Sequence, residues 1–254
     1  MRLDIYLVEK GYYPTRNKAL TAIKDNAVMV DGKVITKANY DINDDTNITI
    51  VKESNPYVSR GGLKLEAAIK AFYLDFNDKV VLDIGASTGG FTDCALKHGA
   101  KLVYAVDVGT NQLAETLKNR SDVVVYEQTN IIDVESFPHS LDYIVMDVSF
   151  VSITKILPAI DKFINDNNAL VCLIKPQFEV GKIYLKNGIV KDRNLHISVL
   201  KNIFSELERY NLGVAKLIPS PILGGSGNKE FLALIKRNIK SNINIIEVCR
   251  WYHA

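Results

Sequence analysis

Apolar residues change their spacing along this chain, and the change divides it into two regions. From residue 79 onward, apolar runs of strand length alternate with segments of helical spacing. Strands are predicted at 79–84, 101–106, 122–126, 141–146, 169–174, 213–219 and 229–236, and the clearest helices at 90–98 and 194–210. This alternation predicts an α/β fold, in which a doubly wound, mostly parallel sheet of seven strands carries helices on both faces.

The first fifty residues follow a different pattern. Leu3 and Leu7 recur at helical spacing, Gly11 closes that helix, and Thr15 provides an N-cap for a second helix over 16–26. Short strands are predicted at 27–30, 33–35 and 47–51. The predicted organisation is a small α+β domain over 1–53, a linker over 54–60 and a larger α/β domain over 61–254.

The bulk composition narrows the class of protein. Hydrophobic residues make up 47% and charged residues 24% of the 254 residues, and the formal net charge is only +2, so any basic surface has to be local. The three cysteines, Cys94, Cys172 and Cys249, are far apart, and the four histidines have no metal-ligand spacing, so neither a disulfide framework nor a metal site is expected. The unpaired cysteines favour a reducing cytoplasm. No signal peptide or membrane span is recognisable, so no membrane partner is expected.

A loop of small residues follows the first strand of the larger domain and is the strongest candidate for a ligand site. Residues 85–91 read Gly-Ala-Ser-Thr-Gly-Gly-Phe; Ser87 stands where a dinucleotide loop has its second glycine, and no lysine follows Gly90 as a P-loop requires. Asp107 ends the next strand, where it can bind ribose hydroxyls, and Thr129 and Asn130 follow the third strand on the adenine side. This pattern favours S-adenosylmethionine, whose amino-acid end needs close backbone approach rather than a phosphate cradle. For Asp107, Thr129 and Asn130, a turn or helix-capping role is the alternative.

Charged residues next to apolar runs are the candidates for chemistry. Asp147 ends the fourth strand and Lys175 the fifth, at the edge where strand carboxyl ends face the ligand crevice. Glu230 lies at the start of the last strand, and Lys64 lies in a helix predicted over 63–72, off its apolar stripe. Periodicity alone therefore predicts a surface position for Lys64, and each of the other three can also be a solvated strand end.

The first domain resembles a known RNA-binding module. Its Arg-Leu-Asp at 2–4, Thr-Arg-Asn-Lys-Ala at 15–19 and Val-Met-Val-Asp-Gly-Lys-Val at 28–34 are similar to the alpha-L module of a ribosomal small-subunit protein. The resemblance implies basic groups on the second helix and the following turn that contact the phosphates of structured RNA. The expected RNA contacts are Arg2, Arg16, Lys18, Lys24, Lys33 and, in the linker, Arg60. Charge alone leaves a solvated helix face as the alternative.

The larger domain extends the resemblance over nearly the whole chain. The segments Ser-Arg-Gly-Gly-Leu-Lys, Leu-Asp-Ile-Gly-Ala-Ser-Thr-Gly-Gly-Phe-Thr, Met-Asp-Val-Ser-Phe, Lys-Pro-Gln-Phe-Glu-Val-Gly-Lys and Gly-Asn-Lys-Glu-Phe resemble the TlyA family of bacterial ribosomal-RNA 2′-O-methyltransferases, historically also called haemolysins. The resemblance implies a Rossmann-like, FtsJ-type domain that uses S-adenosylmethionine. The implied substrate is a cytidine ribose in ribosomal subunits, with large-subunit RNA as the first expectation and small-subunit RNA as a second. Oligomeric state stays open.

Motif matching to FtsJ-type enzymes implies the roles of individual residues. A Lys-Asp-Lys-Glu tetrad falls on Lys64, Asp147, Lys175 and Glu230. Lys175 is expected to act as general base or to stabilise the developing alkoxide, with the charge of Lys64 favouring its neutral form and the two carboxylates holding the ammonium groups. The expected cofactor contacts are Gly85, Ser87, Thr88, Gly89, Gly90, Phe91, Asp107, Val108, Thr129, Asn130, Phe150 and Ser226.

Three other classes of function stay in view. A non-catalytic ribosome assembly factor would keep the fold but not a complete tetrad. A membrane-active haemolysin would need a secretion signal, a span or a cationic amphipathic helix, none of which the sequence shows. A pseudouridine synthase with the same small domain would carry Arg-Leu-Asp in its large domain, whereas the triplet here lies at 2–4. The predicted function is therefore methylation of ribosomal RNA.

Overall fold

The computed structural model describes residues 1–24, 27–43, 45–50, 55–224 and 227–252; the side chains of Lys24 and Trp251 lie outside this description. The chain divides into two compact units, Met1–Pro56 and Tyr57–Ala254. No helix within the described ranges is long and apolar enough to cross a membrane.

The first unit packs two helices against a small sheet. Its elements are α1 (Leu3–Glu9), α2 (Arg16–Lys24), β1 (Val28–Val30), β2 (Lys33–Val34) and β3 (Ile48–Ile50). The strands pair antiparallel in the order β2-β1-β3. The Thr15 hydroxyl accepts a hydrogen bond from Lys18 N at 3.3 Å, as the N-cap prediction requires. The predicted second helix and third strand each extend into residues outside the described ranges, namely 25–26 and 51.

A buried carboxylate organises the basic residues of the first unit. Asp4 is fully buried and accepts hydrogen bonds from Arg2 Nε at 3.0 Å and from Arg16 Nε at 2.8 Å. Burial alone would raise the pKa of Asp4, but these two arginines hold it below its ordinary value. Both guanidinium groups remain exposed, so Asp4 fixes the position of two cations at the surface.

The second unit alternates strands and helices, as the sequence pattern predicts. Its elements are α3 (Gly61–Phe72), β4 (Val80–Ile84), α4 (Gly90–Lys97), β5 (Leu102–Val106), α5 (Glu115–Lys118), β6 (Val123–Tyr126), β7 (Tyr143–Met146), α6 (Ile153–Ile160), β8 (Ala169–Ile174), α7 (Pro176–Glu179), α8 (Arg193–Glu208), β9 (Leu212–Pro219), β10 (Phe231–Arg237) and α9 (Ile245–Trp251). Short 3₁₀ turns lie at Ile131–Asp133, Asp161–Phe163 and Lys182–Tyr184.

One seven-stranded sheet runs through the second unit in the order β6-β5-β4-β7-β8-β10-β9. Strands β4 to β8 are mutually parallel, whereas β10 runs antiparallel to both β8 and β9. The predicted seven-stranded, mostly parallel sheet is therefore confirmed. The chain order reverses at β4, which has β5 on one side and β7 on the other, and such a reversal opens a crevice at the carboxyl ends of the strands.

Both faces of this sheet are covered by apolar packing. One core contains Leu157 of α6 and Leu200 of α8, and the other contains Leu65 of α3 and Cys94 of α4. All six residues of β8 are buried, because a central parallel strand faces helices on both sides. The sheet is thus a rigid base that fixes where each strand ends.

The start of the second unit differs from the predicted linker over 54–60. Tyr57 is buried in the same core as Leu65, and a Cβ on Gly62 would lie 2.2 Å from its ring. Val58 N also donates to Asp93 at 2.9 Å. Residues 57–60 thus belong to the packing of the second unit rather than to a free connection. The space for the Tyr57 ring exists because Gly62 has no side chain, and hydrophobic spacing along the sequence does not show such a space.

Candidate active site

The carboxyl edge of the sheet gathers the four predicted tetrad residues. Asp147 directly follows β7 and Lys175 directly follows β8. Glu230 comes just before β10, and because β10 is antiparallel its start lies at the same edge. Phe231 pairs with Ile174, so Glu230 lies next to Lys175 in the register.

Lys64 and Glu230 form a buried ion pair. Lys64 Nζ lies 2.6 Å from Glu230 Oε2, and only 10% and 2% of the two side chains are exposed. The surface position that periodicity predicts for Lys64 is therefore wrong. Helix α3 begins at Gly61, two residues earlier than predicted, and its first turn reaches the sheet edge, where the lysine stem is buried and its ammonium meets a carboxylate.

Lys175 forms the second ion pair. Its Nζ lies 2.6 Å from Asp147 Oδ1 and donates a hydrogen bond to Ser149 Oγ at 2.7 Å. The structure thus resolves the predicted tetrad into two lysine–carboxylate pairs, each cation having its own anion. Ser149 was not among the predicted site residues, although it lies within the Met-Asp-Val-Ser-Phe segment.

Two further residues shape the surroundings of Glu230. Gln177 Nε2 donates to Glu230 Oε1 at 3.2 Å. A Cβ added to Gly224 would lie 2.0 Å from Oε1 and 2.4 Å from Cδ of the same carboxylate. Gly224 therefore leaves the space that the carboxylate occupies. Sequence reasoning missed both residues because neither a glutamine nor a loop glycine is a chemical signal by itself.

The predicted cofactor loop is preorganised around Asp107. Ser87 N donates to Asp107 Oδ2 at 2.8 Å, and Gly109 N donates to Oδ1 at 2.7 Å. Gly85 has φ +81°, and a Cβ there would lie 2.9 Å from the Asp147 carbonyl oxygen. Gly89 has φ +94° and caps α4. The tight glycine turns and the oriented carboxylate fit a ligand with a ribose and a backbone-bound polar end.

The other predicted cofactor residues include both exposed and buried side chains. Thr88 and Val108 are exposed, whereas the Phe91 side chain is buried in the core and can serve a ligand only through its backbone. Thr129 N donates to the Asp107 carbonyl at 3.0 Å, which ties the third strand end to the loop. Asn130 caps the turn at Ile131–Asp133.

An aromatic residue marks the mouth of the crevice. Phe150 is 89% exposed and has φ +65°, and the centroid of its ring lies 5.0 Å from that of Phe178. A strained backbone that presents a bare aromatic ring is typical of a ligand contact. Ser226, the remaining predicted cofactor residue, lies outside the described residues.

A buried acid that sequence reasoning left out lies beneath the loop. Asp83 is the fourth residue of β4 and is fully buried; its Oδ2 accepts from the Thr92 hydroxyl at 2.6 Å, and its Oδ1 has no hydrogen-bond partner within the described residues. Burial, with the negative charge of Asp147, raises the pKa of Asp83 to about 7 despite the bond from Thr92. Asp83 was not among the predicted site residues, because a local pattern does not show that this carboxyl group is fully buried.

The predicted RNA contacts are placed mainly on the first unit. Lys18 and Lys33 are exposed like Arg2 and Arg16, whereas the Lys24 side chain lies outside the described residues. Arg60 is exposed and donates to the Leu223 carbonyl at 2.9 Å. Among the described residues, no group of three His, Cys, Asp or Glu side chains could hold a metal ion.

Comparisons with known proteins agree with this geometry. Residues 57–237 match the FtsJ-like methyltransferase family and residues 1–48 match the S4 domain. Hemolysin A of Brachyspira hyodysenteriae is 46% identical over 237 residues, covering 92% of this chain and 98% of that protein. The 16S/23S rRNA (cytidine-2′-O)-methyltransferase TlyA of Mycobacterium tuberculosis H37Rv is 37% identical over 242 residues, covering 92% and 89%. A solved structure from Streptococcus thermophilus, 41% identical, has a TM-score of 0.79 and covers 100% of this chain and 95% of that chain.

The fold, the paired tetrad and these matches define a class: an FtsJ-like methyltransferase that carries an S4 domain. Both relatives span nine tenths or more of this chain at over 30% identity. The chain belongs to the TlyA family, as the sequence motifs predict.

We expect the stability of the second unit to depend on pH through Asp83. Its pKa of about 7 in the folded state exceeds the unfolded value of 3.8, so between these values only the folded state holds the proton and stability falls as pH rises. Asp83→Asn removes this dependence. Relative to wild type, the variant should gain about 3 kcal/mol in the free energy of unfolding between pH 5 and pH 8, measured by urea denaturation. Asp78→Asn, at an exposed aspartate, is the control; an equal difference at both pH values would refute the assignment.

Gly224→Ala should displace the Glu230 carboxylate, because the new methyl group would overlap it and the ion pair with Lys64 restrains it. Methyl transfer should fall about 10- to 100-fold with cofactor affinity unchanged. Glu230→Asp shortens the side chain and relieves the overlap, so the double variant should be less impaired than the product of the two single effects. Simple multiplication of the two effects in a methyl-transfer assay would contradict the steric role.

Proposed function

We propose that this chain transfers a methyl group from S-adenosylmethionine to the ribose 2′-hydroxyl of a cytidine in ribosomal RNA. The observation that carries this proposal is the presence of two ion pairs, the buried Lys64–Glu230 pair and the partly buried Lys175–Asp147 pair, beside the loop organised by Asp107. The relative in Mycobacterium tuberculosis is named for this reaction on 16S and 23S RNA.

The loop and Asp107 would hold the cofactor. Each carboxylate oxygen of Asp107 accepts one hydrogen bond from a backbone amide, and each keeps a lone pair for a ribose hydroxyl. Gly85 lets the loop backbone turn close to the ligand, and Phe150 offers an aromatic face for the adenine. When bound, the cofactor supplies a methyl group on a positively charged sulfur, which is already a strong electrophile.

The protein's own contribution lies in the nucleophile. A ribose hydroxyl is a very weak acid, so it needs a group that takes its proton or a cation that stabilises the developing alkoxide. Lys175 fills that role with its Nζ, which Asp147 and Ser149 hold in one position. Lys64 adds a second cation at the same edge, and Glu230 holds it there.

The pairing also explains why these charges survive burial. An ammonium or carboxylate with little exposure is expensive unless it is paired, and removing one partner of such a pair costs about 3–5 kcal/mol. Each charge in the site has an opposite charge at 2.6 Å. The site therefore keeps two cations near a reacting oxygen without leaving either one uncompensated.

The first unit supports an RNA substrate. Arg2 and Arg16 are held by Asp4 and remain exposed, and Lys18 and Lys33 add two exposed cations. Contacts of this kind bind phosphates and position a protein on structured RNA without reading base sequence.

Lys175→Ala tests the catalytic role. Methyl transfer to ribosomal subunits should fall at least about 100-fold, the usual scale for a general base, while cofactor affinity stays within a few-fold. Labelled-cofactor transfer to purified large and small subunits, with mass mapping of the product, measures both rate and position. Lys155→Ala, at an exposed lysine of α6, is the control.

Four results would count against the proposal. Retained turnover in Lys175→Ala would remove the lysine from the chemistry. A methyl group on a base rather than on the 2′-oxygen would change the reaction. Cofactor binding without transfer to either subunit would favour an assembly factor, and red-cell leakage caused by the purified protein would favour the activity after which the Brachyspira relative is named.

Lys18→Ala and Lys33→Ala test the RNA surface. Each removes one exposed cation without disturbing Asp4, so affinity for ribosomal RNA should fall and the slope of log affinity against log salt should flatten by about 0.7–0.9 for each phosphate that the variant no longer neutralises. Filter binding at several salt concentrations measures this. Lys70→Ala, at an exposed lysine of α3, should leave the slope unchanged. A wild-type slope in Lys18→Ala and Lys33→Ala as well would mean that the RNA does not contact these two lysines.

A further inference from the structure

The last described residue of the chain contacts the segment that carries Glu230. Three consecutive residues meet Tyr252: Lys229 Nζ donates to its carbonyl oxygen, Glu230 N donates to its hydroxyl oxygen at 3.0 Å, and the Phe231 ring lies 5.4 Å from its ring in an edge-on arrangement. Tyr252 lies beyond residues 57–237, the span that matches the FtsJ-like family. Nothing in the tetrad itself requires it.

Glu230 needs an external acceptor at its backbone. Strand pairing between β10 and β8 begins at Phe231, so Glu230 lies one residue outside that ladder. Glu230 is buried, and a buried backbone N–H without an acceptor lowers the free energy of unfolding. The Tyr252 hydroxyl accepts that N–H, and the Glu230 carbonyl accepts from Ser220 N at 2.8 Å. The backbone of Glu230 is thereby held from both sides.

The C-terminal helix is itself firmly placed. Ile245 and Cys249 of α9 are buried in the core that also contains Phe231. Asn244 caps the helix by accepting from Glu247 N at 3.2 Å, and Arg193 donates to the Ile246 carbonyl at 2.9 Å. Tyr252 follows this helix directly. The packing of α9 therefore fixes the position from which the Tyr252 hydroxyl reaches Glu230.

We infer that Tyr252 is a positioning residue for Glu230, and through Glu230 for Lys64. The inference rests on the proposed catalytic role of the Lys64–Glu230 pair. The tyrosine hydroxyl fixes the backbone of Glu230, Gly224 gives its carboxylate room, and the carboxylate then holds the ammonium of Lys64 at 2.6 Å. The C-terminal helix thus contributes to the geometry of a lysine near the opposite end of the domain's sequence.

Tyr252→Phe tests this inference, because it removes the hydroxyl and keeps the ring packing. We expect kcat for methyl transfer to ribosomal subunits to fall about tenfold, the effect of one hydrogen bond, with less than a twofold change in cofactor affinity. In a Glu230→Gln background, where the carboxylate no longer holds Lys64, the same substitution should change kcat less than about twofold. Tyr210→Phe, at a half-buried tyrosine of the same core, is the control and should leave kcat unchanged.

In the activity assay, two results would overturn the inference: full activity in Tyr252→Phe, or an equal fold-loss in both backgrounds, which would mean that Tyr252 acts only on general stability. A second readout needs no activity. If Tyr252 and Glu230 are coupled, the two substitutions together should shift the urea midpoint by less than the sum of their separate shifts; additive shifts would refute the coupling. Absence of methyl transfer by the wild-type protein would refute the proposed function, and the midpoint cycle would still decide the role of Tyr252.

Discussion

The ammonium groups of Lys64 and Lys175 are largely removed from water, so each needs an opposite charge next to it. The arrangement of the elements in the second unit satisfies that constraint. Lys64 and Lys175 come from different elements, yet each reaches its own carboxylate at 2.6 Å. Satisfying both pairs requires the ends of β7 and β8, the start of an antiparallel β10 and the first turn of α3 to meet. A desolvated charge without a partner would destabilise the domain far more than a small gap in its apolar packing.

Much of this could be predicted from the sequence, because strands and their ends leave strong local signals. The apolar runs ending in Asp147 and Lys175 indicated their place at the crevice, since parallel strands end at one edge. The order of the small loop and Asp107 likewise indicated a nucleoside ligand, and the structure joins them through Ser87. These inferences need only the period of the pattern and the direction of the strands.

The rest depended on contacts between distant residues, which local patterns do not encode. Lys64 looked like a surface residue because its apolar neighbours define the buried stripe, yet the partner that buries it is 166 residues away. Gly224 matters only through the volume of Glu230, and Tyr252 only through a backbone amide outside the ladder. The sequence predicts a linker at Tyr57, whereas Gly62 leaves the space that its ring occupies. Volume and hydrogen-bond satisfaction are properties of the folded chain.

The placement of β10 between β8 and β9 has a consequence for folding during synthesis. The strand that follows Glu230 is synthesised after the other six strands of the sheet, but it occupies an inner position. During translation, neither β8 nor β9 can therefore pair with β10 until residues 231–237 have left the ribosome, and long-range pairing of this kind is slow to form. A chain that is still being made has no complete site, so the enzyme becomes competent only after the ribosome that produces it has released this late strand.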